Sequence, residues 1–236
     1  MNMRRQLRGT LGQIGDILRV KIVTPFLQKT STDNVVDMIC RRDLCKTIKG
    51  ILNNRSPRHI QNGNLHYTPA AVLVPIFKMN GEYHLLFTKR APGVKYHQGH
   101  ISFPGGVVDE TDRSPEEAAL READEEIGLL KNDVEILGPI DDSLTFVPPF
   151  IVHPFVGFIP YPYTFNINPK EVEKTIGVPL KFFASQVSKD DYTPAEFERG
   201  IGYPEYRYHG ELIWGTTASM VANFIGILLR RASLPV

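Results

Sequence analysis

Three glutamates, Glu122, Glu125 and Glu126, lie at spacings of three and four residues in a stretch with helical periodicity. On a helix these spacings bring the carboxylates into one sector about 100° wide. Like charges placed so close destabilise a bare helix by a few tenths of a kcal/mol per pair. A hard divalent cation would remove that repulsion, and Mg²⁺ prefers carboxylate oxygens, waters and phosphates. The alternative is an acidic face that meets only solvent.

Two neighbouring features favour the cation site over the solvent face. Arg121 can pair with Glu117 and Glu125, one helical turn away on either side, but it cannot neutralise every acid of this region. Upstream, the Pro104-Gly105-Gly106 turn lets the backbone approach a metal or a phosphate closely at the entrance of the helix. The pattern therefore predicts a site for a metal ion and an anion.

The helix that positions these residues is predicted over Ser114 to Leu130. Ser114 is a suitable N-cap, Pro115 suits the first helical position, and Glu117 stands where a capping-box acid reaches back. The predicted buried stripe consists of Ala119, Leu120, Ala123, Ile127 and Leu130.

The rest of the chain alternates between the two periodicities. Strands are predicted around a hairpin turn at Met79-Asn80-Gly81. The order of strands, helix, strands and helix indicates an α/β (α+β) fold with a mixed sheet between helices. The further predicted elements are a helix over Asp33 to Leu52, strands over 70–77, 83–88, 100–103, 134–140 and 151–159, a second hairpin over 203–213 and a closing helix over 217–231.

Composition limits the classes of partner. The 236 residues carry 27 basic and 26 acidic side chains, so we expect neither nucleic-acid nor membrane binding. The most apolar helical stretch, 218–229, is well short of the roughly 20 residues that cross a bilayer. The first thirty residues are rich in arginine and lysine. We interpret them as a basic segment of a cytoplasmic protein, with a mitochondrial presequence as the alternative.

The segment from Gly105 to Leu129 closely resembles the signature of the Nudix hydrolases, G-x5-E-x7-R-E-U-x-E-E-x-G-U with U apolar. Its second half, from Arg121 onward, matches at every specified position. The first half differs, because Asp112 stands in place of glutamate and eight residues rather than seven separate it from Arg121.

A second motif resembles the coenzyme A pyrophosphatase branch of that family, written L-L-T-x-R-[S/A]-x3-R-x3-G-x3-F-P-G-G. Here it runs from Leu86 to Gly106 with every spacing kept. Phe87 replaces a leucine and Lys95 replaces an arginine. With later stretches, the resemblance extends from about Ala70 to Arg231, and we expect an N-terminal helical and linker extension over 1–66 and a Nudix domain over 67–232.

This resemblance implies an α/β/α sandwich that holds Mg²⁺ or Mn²⁺. Carried over by position, Glu122 and Glu126 are the principal metal ligands, and Glu125 is a further ligand or orients water. The implied substrate is coenzyme A or an acyl derivative. The other implied roles are a backbone carbonyl ligand from Gly106, a clamp for the acids from Arg121, a general base from Glu125 or Glu171, and substrate contacts from Arg90 and Lys95.

Several alternatives stay open at this point. One is a Nudix hydrolase of another nucleoside diphosphate derivative, such as ADP-ribose, a dinucleotide or an mRNA cap, and another is a non-catalytic module that binds a nucleotide. A homodimer is an alternative to a monomer. Trp214 is expected in the core. Tyr96 and His97 are expected to pack ordinarily, with a base pocket as the alternative, and the remaining histidines show no metal-ligand spacing.

Overall fold

The computed structural model describes residues 44–62, 66–94, 97–186 and 204–232. Its elements follow one another as α1 (Leu44–Asn53), β1 (Thr68–Met79), β2 (Glu82–Arg90), β3 (Ile101–Ser102), β4 (Gly105–Val107), α2 (Pro115–Ile127), a 3-10 turn (Lys131–Asp133), β5 (Glu135–Pro139), β6 (Ser143–Phe146), β7 (Pro149–Phe158), β8 (Val172–Pro179), α3 (Leu180–Ala184), β9 (Tyr206–Tyr208), β10 (Glu211–Ile213) and α4 (Gly215–Ala232).

Eight strands form one mixed sheet. Its main path is β3-β2-β1-β7-β5, while β8 pairs with β2, β4 with β1 and β6 with β7. The central pair, β1 and β7, is parallel, and the other pairs in the sheet are antiparallel. Strands β9 and β10 form a separate hairpin.

Alternation along the strands gives the sheet two buried faces. Val74 of β1 belongs to a cluster with α1 and α4, whereas its neighbour Leu73 belongs to a cluster with α2. Successive side chains of a strand point to opposite faces, so each strand contributes to both clusters. Helices therefore cover both faces, and the predicted α/β/α sandwich with a mixed sheet is confirmed.

The first hairpin forms where it was predicted. Asn80 and Gly81 connect β1 to β2 with φ values of 52° and 84°. Both values suit the two-residue turns that match strand twist. Strands β1 and β2 extend beyond their predicted limits, β3 and β5 are shorter than predicted, and β7 begins and ends earlier. Elements β4, β6, β8 and α3 were not predicted, because each is short or lacks a clear apolar period.

Helix α2 ends earlier than predicted. Gly128 adopts a left-handed conformation with φ 66° and caps the helix, so Leu129 and Leu130 leave the helical path. Leu129 is buried, whereas Leu130 is 53% exposed, and the predicted burial of Leu130 was therefore wrong.

Part of the predicted helix over 33–52 lies outside the described residues. Its described part is α1, whose Leu44, Ile48 and Leu52 are buried in the cluster shared with α4. The domain boundary at 66/67 stays a prediction. Within the described ranges, no helix has the length and apolar character needed to span a membrane.

Candidate active site

The start of α2 is held by its own side chains. The Ser114 hydroxyl accepts a hydrogen bond from the Glu117 N–H at 3.2 Å, and the Glu117 carboxylate accepts one from the Arg113 N–H at 2.9 Å. Glu117 thus reaches one residue further back than a standard capping box. It also pairs with Lys131, rather than with Arg121 as the helical spacing suggested.

Gly106 brings the backbone of β4 against Glu122. A Cβ atom at Gly106 would lie 2.5 Å from Glu122 Oε1 and 2.6 Å from Oε2. Strand β4 is itself held against the sheet, because Gly106 is paired with Ala71 of β1. The Glu122 carboxylate consequently occupies the space that any larger residue at 106 would fill.

Glu126 is almost completely buried, with 3% of its surface exposed. Burial raises the pKa of its carboxyl to about 8, against the smaller lowering effect of the Arg90 charge. The nearby Gly105 N–H lowers this pKa by a smaller amount. Among the described residues, Glu126 Oε2 has no hydrogen-bond partner. A buried carboxylate oxygen without a donor is the kind of group that a cation satisfies.

Arg121 is the centre of the charge network. Its guanidinium donates two hydrogen bonds of 3.0 Å to Asp112, one of 2.8 Å to Glu122, one of 3.1 Å to Glu125 and one of 3.1 Å to the Val107 carbonyl. The hydrogen bond to Asp112 is the largest cause of a raised Arg121 pKa. Desolvation acts in the opposite direction, and the bond to Glu122 raises the pKa further. Arg121 therefore ties the loop before α2 to the glutamates of the helix.

Asp112 stands where the family signature differs, and sequence reasoning assigned it no role. Its side chain is buried, and its hydrogen bonds to Arg121 lower the pKa of its carboxyl. A two-point arginine–carboxylate pair fixes both partners in orientation. Asp112 thus anchors Arg121. No local periodicity could have indicated this pair, because eight residues lie between its members.

Glu125 and Glu171 are in different surroundings. The Glu125 side chain is 56% exposed. Glu171 is partly buried, its carboxylate accepts a 3.0 Å hydrogen bond from the Asn168 side-chain amide, and its negative charge raises the pKa of both Glu122 and Glu126. The Glu171 loop is also attached to the site, because Asn168 N–H donates to the Glu126 carbonyl at 2.9 Å.

The upstream motif meets the helix at Glu126. Arg90, at the end of β2, exerts its charge on Glu126, and its buried Nε has no hydrogen-bond partner among the described residues. The next residue, Ala91, donates its N–H to the Glu171 carbonyl at 2.8 Å. Lys95, the second predicted substrate contact, lies outside the described residues.

An aromatic surface lies beside Arg90. The His100 carbonyl accepts a 2.9 Å hydrogen bond from Arg90 N–H, and the His100 ring contacts His97 and Trp214 at centroid distances of 5.0 Å each. Desolvation, with the charges of His97 and Arg90, lowers the pKa of His100. Trp214 is 44% exposed, so its predicted place in the core was wrong.

The structure brings Arg90, Glu122 and Glu171 into electrostatic range of Glu126, and Glu171 into range of Glu122, while Glu125 lies at the exposed rim. The three glutamates of α2 do not have ligand atoms all within 4.8 Å of one another. Arg121 contacts two of them, Glu122 and Glu125. The site nevertheless fits Mg²⁺ or Mn²⁺: all donors are oxygens, and one of them is buried without a partner.

Comparison with known proteins shows which sequences this chain resembles. A model of the NUDIX domain matches residues 66–184. A Photorhabdus laumondii protein named "Uncharacterized Nudix hydrolase NudL" is 36% identical over 167 residues, which cover 70% of this chain and 86% of that protein. A protein of the same name from Yersinia enterocolitica is 37% identical over 166 residues, covering 68% and 80%.

Solved structures also resemble the chain. A C. elegans Ap4A hydrolase is 22% identical, covers 48% of this chain and 81% of its own, and has a TM-score of 0.41. At this TM-score the likeness supports no conclusion about this chain.

Proposed function

The chain belongs to the Nudix hydrolase family, and we propose that it hydrolyses the diphosphate bond of coenzyme A or an acyl-coenzyme A. The products would be 3′,5′-ADP and the corresponding 4′-phosphopantetheine. The observation that supports this proposal is that the upstream motif lies within electrostatic range of the signature helix and is hydrogen-bonded to the loop that carries Glu171. Arg90 of the upstream motif acts on Glu126 of the helix, and Ala91 is hydrogen-bonded to the Glu171 loop.

The proposed metal ligands are Glu122, Glu126 and the Gly106 carbonyl, with Glu125 as a further ligand or water-orienting group. A bound Mg²⁺ or Mn²⁺ would draw charge from the diphosphate and lower the pKa of the attacking water. Arg121 would act as a positioning residue, because its bonds to Asp112 hold it while its other nitrogen contacts Glu122 and Glu125.

The reaction also needs a base for the proton of the attacking water. Glu125 and Glu171 are the two proposed bases. Glu125 is open to solvent, so it can exchange a proton freely. Glu171 is oriented by its hydrogen bond from Asn168 and lies within electrostatic range of both proposed ligands, so its carboxylate is held in a fixed position near the site.

Substrate binding is proposed to involve Arg90 and Lys95 as phosphate contacts. The unpartnered Nε of Arg90 supports this role, because a buried guanidinium donor gains most from an anion. The aromatic surface of His97, His100 and Trp214 would receive the adenine base. A lowered His100 pKa favours the neutral ring, which stacks without electrostatic cost.

Hydrolysis of a substrate panel with Mg²⁺ or Mn²⁺ in ¹⁸O-water tests the proposal. The panel would contain coenzyme A, an acyl-coenzyme A, ADP-ribose, a dinucleotide and a capped RNA. We expect the highest kcat/KM for a coenzyme A compound, with ¹⁸O in only one product, which identifies the attacked phosphorus. Faster cleavage of another compound would reject the substrate, and binding without turnover would favour the non-catalytic module.

We also propose a cytoplasmic enzyme that acts on a small molecule, with mitochondrial import and a homodimer as alternatives. The basic segment before residue 30 lies outside the described residues. Imaging of the full chain and of a chain starting after this segment tests the location. Sedimentation tests the oligomeric state.

A further inference from the structure

A second group of possible metal ligands lies away from the glutamates of α2. It consists of His59, Asp142 and His153, whose ligand atoms all lie within 4.8 Å of one another. His153 Nδ1 lies 2.9 Å from Asp142 Oδ1, and His59 Nδ1 lies 3.3 Å from Oδ2. Within the described parts of the chain, it is the one group that meets this distance.

The Asp142 carboxylate is held from several directions. Its side chain is only 1% exposed, and Oδ2 also accepts a 2.9 Å hydrogen bond from Ile60 N–H. The backbone adds a 3.0 Å bond from Asp142 N–H to the Arg58 carbonyl. A carboxylate fixed by a backbone donor is characteristic of metal ligands, which need outer partners to hold their orientation.

Two distant segments supply the imidazoles. His59 follows α1, while His153 lies on β7 beside the break between β5 and β6 that contains Asp142. The His59 side chain is 58% exposed, so solvent or an ion can reach the group. The structure thus combines a buried oxygen ligand with an open side.

The distances suit one ion. Ligand atoms about 2.1 Å from a cation and 90–110° apart are separated by roughly 3.0–3.4 Å. The separations of 2.9 Å (His153 Nδ1 to Asp142 Oδ1) and 3.3 Å (His59 Nδ1 to Asp142 Oδ2) are close to this range, so an ion held by both nitrogens would face both carboxylate oxygens. Two imidazoles and a carboxylate favour zinc and similar transition metals over Mg²⁺. We propose that His59, Asp142 and His153 form a binding site for a zinc-type divalent ion.

This site is separate from the glutamate site. Gly106 of β4 and His153 of β7 are both paired with Ala71 of β1, one on each side. Two strand spacings of about 4.8 Å each therefore separate their backbones. None of Glu122, Glu125 and Glu126 joins the three ligand atoms that lie within 4.8 Å of one another, so the group forms a site of its own. The zinc-type ion would instead fasten the segment after α1 to the sheet.

Zinc titration by calorimetry, with excess Mg²⁺ present to occupy the glutamate site, tests the proposal. The proteins would be the full chain, His59→Gln, His153→Gln and the matched control His209→Gln, whose ring is exposed elsewhere. We expect one zinc per chain in the full chain and the control, and binding weakened at least about tenfold in the other two variants. With Co²⁺ in place of zinc, the absorption bands of nitrogen ligation should appear in the full chain and be lost in the same two variants.

Thermal unfolding gives a second measurement. Zinc should raise Tm in the full chain and the control, since an ion that binds only the folded state stabilises it. Glutamine at 59 can still donate a hydrogen bond to Asp142, so His59→Gln should fold without zinc. If the full chain binds no stoichiometric zinc, or both variants bind it unchanged, the proposal is wrong and the group is a hydrogen-bond network only.

Discussion

At the scale of single residues, the site combines two neighbouring glutamates that differ in burial. Glu126 is buried beside Glu122 and Glu171, so an ionised carboxylate there is costly unless positive charge compensates it. Glu125, one residue earlier, is exposed. The same residue type at adjacent positions therefore suits a metal ligand in one case and a proton-exchanging group in the other.

Substitution Glu126→Gln should reduce kcat by several orders of magnitude. The amide keeps the shape of the side chain but removes the charge needed to hold Mg²⁺. Steady-state kinetics with coenzyme A measures the effect. Asp124→Asn is the matched control, because Asp124 lies on the same helix, is exposed and occupies an unspecified position of the signature. Equal activity in Glu126→Gln and the full chain would contradict the ligand assignment.

The raised pKa of Glu126 predicts a pH-dependent stability of the metal-free protein. The folded carboxyl holds its proton up to about pH 8, whereas its ordinary pKa is 4.5. Its protonation therefore stabilises the fold fully below pH 4.5. This contribution is lost as the pH rises from 4.5 through about 8, at roughly 1.4 kcal/mol per unit.

Urea unfolding in a chelator across this window measures the free energy of unfolding. Glu126→Gln should remove most of the slope, because the amide does not titrate. Mg²⁺ affinity of the full chain should rise over the same pH range, since the ion binds the ionised carboxylate. Parallel pH profiles for both proteins would exclude Glu126 as the titrating group.

At the scale of elements, the site is built where β4 meets α2. Strand β4 is fixed to β1, and the helix is fixed by Ser114 at its start and Gly128 at its end. Arg121 then connects the intervening loop to the helix through Asp112. Strand β4 fixes one end of the loop, and α2 with its Arg121–Asp112 bond fixes the other. The carboxylates of α2 therefore have a defined position relative to the β4 backbone.

Gly106→Ala should impair catalysis much more than folding. The new Cβ would lie 2.5 Å from Glu122 Oε1, so the carboxylate must move. Because the obstructed group is the end of a flexible side chain, we expect a small change in Tm. Displacement of a ligand by about 1 Å can reduce the rate on the order of 100-fold.

Mg²⁺ titration and kcat measurements on Gly106→Ala test this expectation. Gly50→Ala is the control, since a Cβ at Gly50 on α1 meets nothing within 4 Å. Unchanged metal affinity in Gly106→Ala would show that the Glu122 position is not critical.

At the scale of the whole molecule, distant segments form the aromatic surface beside Arg90. Trp214, just before α4, packs edge-on to His100, and the His97 ring is 2.8 Å from the Val147 carbonyl of the β6–β7 turn. Parts of the chain separated by more than a hundred residues thus form one aromatic surface next to Arg90. Its position depends on the packing of α4 and the sheet.

Trp214→Ala should raise KM for coenzyme A while leaving kcat nearly unchanged. Stacking of a base on an aromatic ring contributes about 1–3 kcal/mol, which corresponds to a change in affinity of roughly 5- to 160-fold. Tyr161→Ala is the control, because Tyr161 is equally exposed and stacks on Phe77 instead. A similar KM for both variants would indicate that adenine binds elsewhere.

The local elements that carry the chemistry were predictable from the sequence. Ser114, Pro115 and Gly128 mark the ends of α2 by conformational preferences that act within a few residues. The hairpin at Asn80-Gly81 was predictable for the same reason. The signature residues also predicted the family, since their identities and spacing do not depend on knowing the fold.

Only the tertiary structure decided which of these groups are buried and what they contact. Burial of Glu126, exposure of Trp214 and the pairing of Asp112 with Arg121 depend on how the helix, loop and sheet pack. His59 and Asp142 meet across 83 residues of sequence. Desolvation and such long-range contacts arise when separate segments exclude water together, and no local spacing along the chain encodes them.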